Sequence, residues 1–229
     1  MKKVSFLIPT NRNLNDFLYK TLESIYKFSS DVTYEIIVFS QEKVEGSNII
    51  WVPEIDKKGP IYGFNKMCEI STGEYIVCLT DDHVLTNSIK LSLDDLDSKK
   101  FDSDMIISSL NPNDGGCFNP IRGQILGDSV IDQDIPKYPL VRFPIVHRKS
   151  LSLLDGVIFN ESLYYHAGDI WLGFYVGYKY APSFDGPTQI KSHNPQKNES
   201  YEVQDCNRVR ELIFKLIKDS NTKYSDVFI

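Results

Sequence analysis

The chain has 229 residues, with 25 lysines and arginines against 31 aspartates and glutamates, a formal net charge of −6. Hydrophobic residues at 41% and charged residues at 24% are globular values, and the length suffices to bury a core, which excludes wholesale disorder. The acidic balance supplies no global attraction to nucleic acid. The longest apolar runs, about six to eight residues, fall far short of a membrane span and leave only peripheral membrane contact open.

The N-terminus, Met1-Lys2-Lys3 before an apolar stretch, begins like a signal peptide. That stretch has only about five residues against roughly seven to fifteen in a signal, so it reads as a first strand. Val4 to Ile8 is closed by Pro9, the pattern of a strand buried on both faces. Leu14, Phe17, Leu18, Leu22 and Ile25 then recur at helical spacing after Asn13, a capping residue type. Tyr34–Phe39 and Asn48–Val52 predict a second and a third strand. Gly59-Pro60 opens a helix through Phe64, Met67, Cys68 and Ile70 that stops at Gly73, and Glu74–Leu79 predicts a fourth strand leading into Thr80-Asp81-Asp82-His83. Met105–Ile107 predicts another. This β-α-β order implies an α/β sandwich, a mainly parallel central sheet flanked by helices.

From Asn111 to Pro144 the chain is rich in Gly, Pro, Asn and Asp, a long functional loop or a small sheet insertion. A strand over Val141–Val146, a short helix near Leu151–Leu154 and a helix from Gly168 to Val176 follow, and Ser183–Ser200 reads as polar loop. The last element is amphipathic, with Val203, Cys206, Val209, Leu212, Ile213, Leu216 and Ile217 on one face and Arg208, Arg210, Lys215 and Lys218 on the other. It predicts a terminal helix packed on the core. The organisation expected is one domain: a first half over 1–110, a second over 111–200, and a C-terminal helix and tail over 201–229. Cys68, Cys78, Cys117 and Cys206 form no CxxC pair, as expected for free thiols in a cytoplasmic protein.

Open parallel sheets bind ligands outside the carboxyl ends of their strands. Three polar clusters fall there: Pro9-Thr10-Asn11-Arg12, Ser40-Gln41-Glu42 and Thr80-Asp81-Asp82-His83. Two adjacent carboxylates repel each other unless they are solvated or hold a cation. Asp81-Asp82 is therefore either a solvated turn or a place for Mg²⁺ or Mn²⁺, which take one or two carboxylates together with substrate phosphates.

The ordered motifs resemble those of glycosyltransferase family 2, inverting enzymes of GT-A fold, over roughly residues 3–195. Val4–Arg12 is similar to that family's opening "VSVIIPTYNR" strand, Leu22–Ile25 to its "L.SI" helix, and Tyr34–Val38 to its second strand. Gly63–Met67 is similar to "A.N.G" and Gly73–Asp82 to "GEYI..LD.D". Leu154–Asn160 resembles "LGGFDE", and His166–Phe174 resembles "EDxDLGxR", with Gly177–Tyr180 and His193 following.

The resemblance implies transfer of a single sugar from a nucleotide-sugar donor, a UDP-sugar favoured, to a saccharide or other hydroxyl acceptor, with Mn²⁺ or Mg²⁺. It implies donor binding by Pro9, Thr10, Arg12, Ser40, Asn65, Asp81 and Asp82, with Asp82 on the metal and Asp169 as catalytic base. His193 is implied as metal or diphosphate ligand, with loop hydrogen bonding as the alternative. Asp169 also reads as a helix N-terminal cap. On the acceptor side His166 either orients Asp169 or packs. Trp171, with Tyr164 and Tyr165, is a sugar platform or core packing, and Arg148 lies near the acceptor or on a solvated surface. Arg12 and Lys66 either meet phosphates or are surface charges.

Several positions depart from the pattern. Thr80-Asp81-Asp82 stands for the usual DxD, Ser40-Gln41-Glu42 stands where an acidic base contact is usual, and Gly168 replaces the Glu beside Asp169. The QxxRW signature of processive synthases is absent. Two other classes remain as alternatives: a nucleotidyltransferase, against which the glycine-free Thr10-Asn11-Arg12-Asn13 counts, and a non-catalytic carbohydrate-binding relative.

Overall fold

The computed structural model describes residues 2–12, 14–99, 104–112, 141, 143–163, 171–173, 175–176, 185–193 and 215. The expected C-terminal amphipathic helix, apart from Lys215, lies outside the described residues.

Among the described residues eight strands form one sheet in the order β3-β2-β1-β4-β7-β6-β8-β5. The first four are β1 (Lys3–Pro9), β2 (Thr33–Ser40), β3 (Ile49–Pro53) and β4 (Tyr75–Cys78), and the others are β5 (His83–Leu85), β6 (Ile107–Pro112), β7 (Pro144–His147) and β8 (Asp185–Ser192). Period two sorts the side chains of β1 and β2 to opposite faces. Val4, Phe6, Ile8, Ile36 and Val38 pack with α1 (Leu18–Phe28) and α3 (Lys90–Ser98), through Leu18, Leu22, Ile25, Leu93 and Leu96. Leu7, Ile37 and Phe39 pack on the other face with α2 (Gly59–Ile70), through Ile61, Phe64 and Met67. Both faces of β1 are covered, which is why Val4 to Pro9 is buried throughout and apolar but for Ser5.

The sheet is mixed, which corrects the expectation of a mainly parallel one. β3, β2, β1 and β4 run parallel, with α1 crossing over between β1 and β2, α2 between β3 and β4, and a loop over 41–48 joining β2 to β3. β7 then pairs antiparallel with both β4 and β6, β8 runs parallel to β6, and β5 is antiparallel to β8. The β-α-β rhythm that implies parallel pairing stops at β4, and nothing in the later composition carries strand direction.

Other boundaries differ as well. The first helix begins at Leu18, with Phe17 at its cap position and no side-chain cap bond, rather than after Asn13. The turn before it still buries Leu14. The strand expected at Met105–Ile107 runs over Ile107–Pro112, and that expected at Val141–Val146 runs over Pro144–His147. The short helix near Leu151–Leu154 is a 3₁₀ helix over Arg148–Leu154. Residues 171–173 and 175–176 are helical, within the helix expected over Gly168–Val176. β5 and α3 were not expected, and β8 occupies a stretch expected as polar loop.

Candidate active site

Register assembles the site. β1 pairs with β4 so that Leu7 faces Cys78, and the same offset continued past the strand ends sets Thr10 beside Asp81. On the other side Pro9 faces Phe39, which sets Thr10 beside Ser40, and Ser40 faces Pro53 of β3. The carboxyl ends of four parallel strands thus present one row: Pro53, Ser40, Thr10 and Asp81. Backbone bonds hold the row, with Thr10 N donating to Phe39 O at 2.9 Å and Glu54 N to Ser40 O at 2.9 Å.

Asp81 is buried, and Thr10 Oγ1 donates to its Oδ2 at 2.6 Å. Burial raises its carboxyl above the usual range, and the neighbouring Asp82 charge adds to that, against the lowering by Thr10 and Arg12. Asp82 behaves oppositely. Burial disfavours its charge, but His83 Nδ1 at 2.9 Å, Thr80 Oγ1 at 2.7 Å and Arg12 Nη1 at 3.0 Å overcome that and hold its carboxyl far below the usual range. The two adjacent carboxyls are thus shifted in opposite directions. Arg12 Nη1 also lies 3.6 Å from Asp81 Oδ1.

The pairing of β5 with β8 delivers the distant histidine. His83 faces Ser192, so His193 falls next to Asp82. His193 N donates to Asp82 O at 2.9 Å, and its Nε2 donates to Asp81 O at 3.1 Å. Its other ring nitrogen, Nδ1, is buried without a hydrogen-bond partner. Two residues not anticipated from the sequence complete the surround. Thr21 of α1 places its hydroxyl 2.8 Å from Asp81 O and 2.9 Å from His83 O, and Phe17 stacks under the Arg12 guanidinium at 5.1 Å. Thr21 carried a signal, a polar residue inside the apolar stripe of Leu18, Leu22 and Ile25.

The remaining candidates separate. Ser40 is buried and its hydroxyl donates to Glu42 O at 2.6 Å, which fixes the turn after β2. Asn65 is buried in α2 and takes both backbone groups of Phe159, donating to its O at 2.8 Å and accepting from its N at 3.1 Å. It pins a distant loop, and its amide is spent on that. Arg148 sits at the amino end of β4, donating to Gly73 O and Ser71 Oγ at 2.7 and 2.8 Å. That is the end of the sheet opposite to Asp81, so the structure does not bring Arg148 to the carboxylates. Lys66 pairs with Glu69 on the surface of α2. Trp171, half-buried against Tyr175, lines a cavity of about 240 Å³ with Ile158, Phe159 and Asn160. His166 and Asp169 lie outside the described residues, as do Tyr164 and Tyr165.

Among the described residues no three His, Cys, Asp or Glu side chains converge as a ready-made metal cage. The residue types nonetheless fit a hard cation that keeps waters and substrate oxygens as further ligands: the Asp82 carboxylate, held below the usual range by its partners, and the His193 imidazole, whose Nδ1 has no hydrogen-bond partner. A smaller cleft of about 90 Å³ opens beyond β2 and β3, lined by Phe39, Pro53, Ile55, Asp56, Lys58 and Tyr62.

No protein-family model matches the sequence, and neither does any curated protein. Solved structures do match the fold. Residues 1–349 of TarS from S. aureus in complex with UDP superpose with a TM-score of 0.61 at 16% identity, over 98% of this chain and 68% of that one. The mannosyltransferase PcManGT from Pyrobaculum calidifontis, in complex with GDP-Man and Mn²⁺, gives 0.61 at 16% identity over 97% and 66%. The same TarS segment in complex with UDP-GlcNAc gives 0.59 at 15% over 99% and 69%. The chain spans about two thirds of these proteins and 41% of a longer TarS chain. At such identities the likeness establishes a shared mixed α/β fold.

Proposed function

We propose that the chain is an inverting GT-A glycosyltransferase that moves one sugar from a nucleotide-sugar donor to a hydroxyl acceptor. The observation that carries this reading is the Asp81-Asp82 pair at the joined carboxyl ends of β1 and β4, where an open α/β sheet takes its ligand. The reading draws support from the three similar structures, which hold UDP, UDP-GlcNAc, or GDP-Man with Mn²⁺.

Asp82 and His193 would hold a divalent cation. Such an ion neutralises charge that gathers on a departing diphosphate. Thr10 and Ser40 fix the backbone row over which the nucleotide lies. The adjoining cleft offers the faces of Phe39 and Tyr62, with Lys58 Nζ 4.7 Å from the Tyr62 ring centroid, and suits a nucleobase better than Glu42, whose side chain is exposed. Asp169 is the base that accepts the acceptor's proton on the opposite face. Trp171 lends the acceptor side an apolar wall.

A thermal-shift screen with UDP-, GDP- and dTDP-sugars, each with and without Mn²⁺, tests the reading, because a ligand that binds only the native state raises stability. One nucleotide class raises Tm only when Mn²⁺ is present. No shift with any of them contradicts the reading.

A further inference from the structure

Arg12 reaches the carboxylate pair from a turn fixed on several sides. Thr10 bonds Phe39 O through its N–H and Asp81 through its hydroxyl, and its Oγ1 accepts from Arg12 N at 3.4 Å. The guanidinium lies over the Phe17 ring, and Phe17 in turn lies against the His193 ring, with centroids 6.0 Å apart. One nitrogen, Nη1, stands 3.0 Å from Asp82 Oδ2 and 3.6 Å from Asp81 Oδ1. A single positive group thus faces an oxygen of each carboxylate, the position from which one cation relieves the repulsion of both. Arg12 keeps 35% of its side-chain exposure, against 6% for Asp81 and 16% for Asp82, so it can leave for water while the carboxylates stay in place.

We infer that Arg12 is the resident counter-ion of the Asp81-Asp82 pair, and that a divalent cation binds there in competition with its guanidinium. The inference rests on reading this pair as the cation-binding part of a nucleotide-sugar site, and it adds what governs that binding. Two cations on one carboxylate pair repel each other, and both draw on Asp82 oxygens whose capacity Thr80 and His83 already share. Metal uptake therefore requires the guanidinium to move off. Arg12 weakens the affinity of the free protein for the ion and leaves its planar fork beside the site, where a diphosphate oxygen suits it.

The test titrates Mn²⁺ alone into the wild-type chain and into Arg12→Met, reading free Mn²⁺ by electron paramagnetic resonance, with no nucleotide present. Arg12→Met should bind Mn²⁺ about tenfold or more tightly than wild type, the factor expected for losing one charge-assisted bond to the competitor. Arg12→Lys, which keeps the charge, should stay near wild type. Phe17→Leu, which removes the shelf and leaves every charge, should tighten Mn²⁺ by a smaller factor and serves as a second variant should Arg12→Met fold poorly. Equal or weaker Mn²⁺ binding in Arg12→Met and Phe17→Leu than in wild type overturns the inference while leaving the cation site standing. No Mn²⁺ binding by any of the four proteins overturns both.

Discussion

Asp82 spends two carboxylate oxygens on three partners, Thr80 and His83 at Oδ1 and Arg12 at Oδ2. Those partners depress its carboxyl despite burial, so its ionisation stabilises the fold. The contribution is present in full above the unfolded-state value of about 3.9 and fades as pH falls through and below it. Asp82→Asn lacks the titration. Urea unfolding should therefore find wild type more stable than Asp82→Asn at neutral pH, with the gap beginning to narrow by about pH 3. A gap unchanged between the two pH values would mean that the ion pairs contribute nothing. As the proposed base, Asp169 would act in the bond-making step and leave nucleotide binding to others, so Asp169→Asn should reduce transfer about a hundredfold or more while nucleotide and Mn²⁺ binding stay within a few-fold. A variant that transfers sugar at more than about a tenth of the wild-type rate would make Asp169 a helix cap, and the base would lie elsewhere.

At the scale of elements, α2 and the 157–161 segment are joined by one side chain. Asn65 meets both the N–H and the C=O of Phe159, in the manner of a strand neighbour, and the Phe64 and Phe159 rings pack beside it at 5.3 Å. Asn65→Ala leaves two buried backbone groups unpaired and should cost about 2–4 kcal/mol in denaturant unfolding, well above an ordinary surface change. A loss under about 0.5 kcal/mol would show that water replaces the amide. The elements also differ in how far they could be read beforehand. β1 to β4 and α2 were legible because their apolar runs and the Gly59-Pro60 start are local signals. β8 was not, although it alternates: Gly186, Thr188 and Ile190 point inward, and only one of them is apolar. Its seating is polar, with Thr188 Oγ1 donating to Ser88 O and accepting from Ser92 N, and with the Asn87 side chain bridging Pro187 and Gln189. A Cβ on Gly186 would stand 2.6 Å from Ser109 O, a close approach that hydrophobic patterning does not register. Asp81 and Asp82 were legible as a pair, and His193 as a distant candidate. The opposite shifts of their carboxyls were not, because these depend on Thr10 and Arg12 converging with Thr80 and His83 from two distant chain segments.

Taken as a whole molecule, the sheet is continuous from β3 to β5. The nucleotide-binding half proposed for 1–110 and the acceptor half proposed for 111–200 therefore share a core, with β7 of the second bonded directly to β4 of the first. The carboxylate pair follows β4 in that sheet, with the cleft beyond β2 and β3 toward one edge and β8, which returns with His193, toward the other. Among the described residues no helix is long and apolar enough to cross a membrane. The proposed function requires one nucleotide-sugar laid across the strand ends, reacting at the bond between sugar and diphosphate. Time-resolved proton NMR of the anomeric signals, with Mn²⁺ and the sugar nucleotide chosen by the stability screen, tests this most directly. The account predicts release of the nucleoside diphosphate, with the first-formed sugar product, on an acceptor or on water, carrying the anomeric configuration opposite to the donor. Release of nucleoside monophosphate with sugar phosphate, a first product of retained configuration, or no turnover of any sugar nucleotide would contradict it.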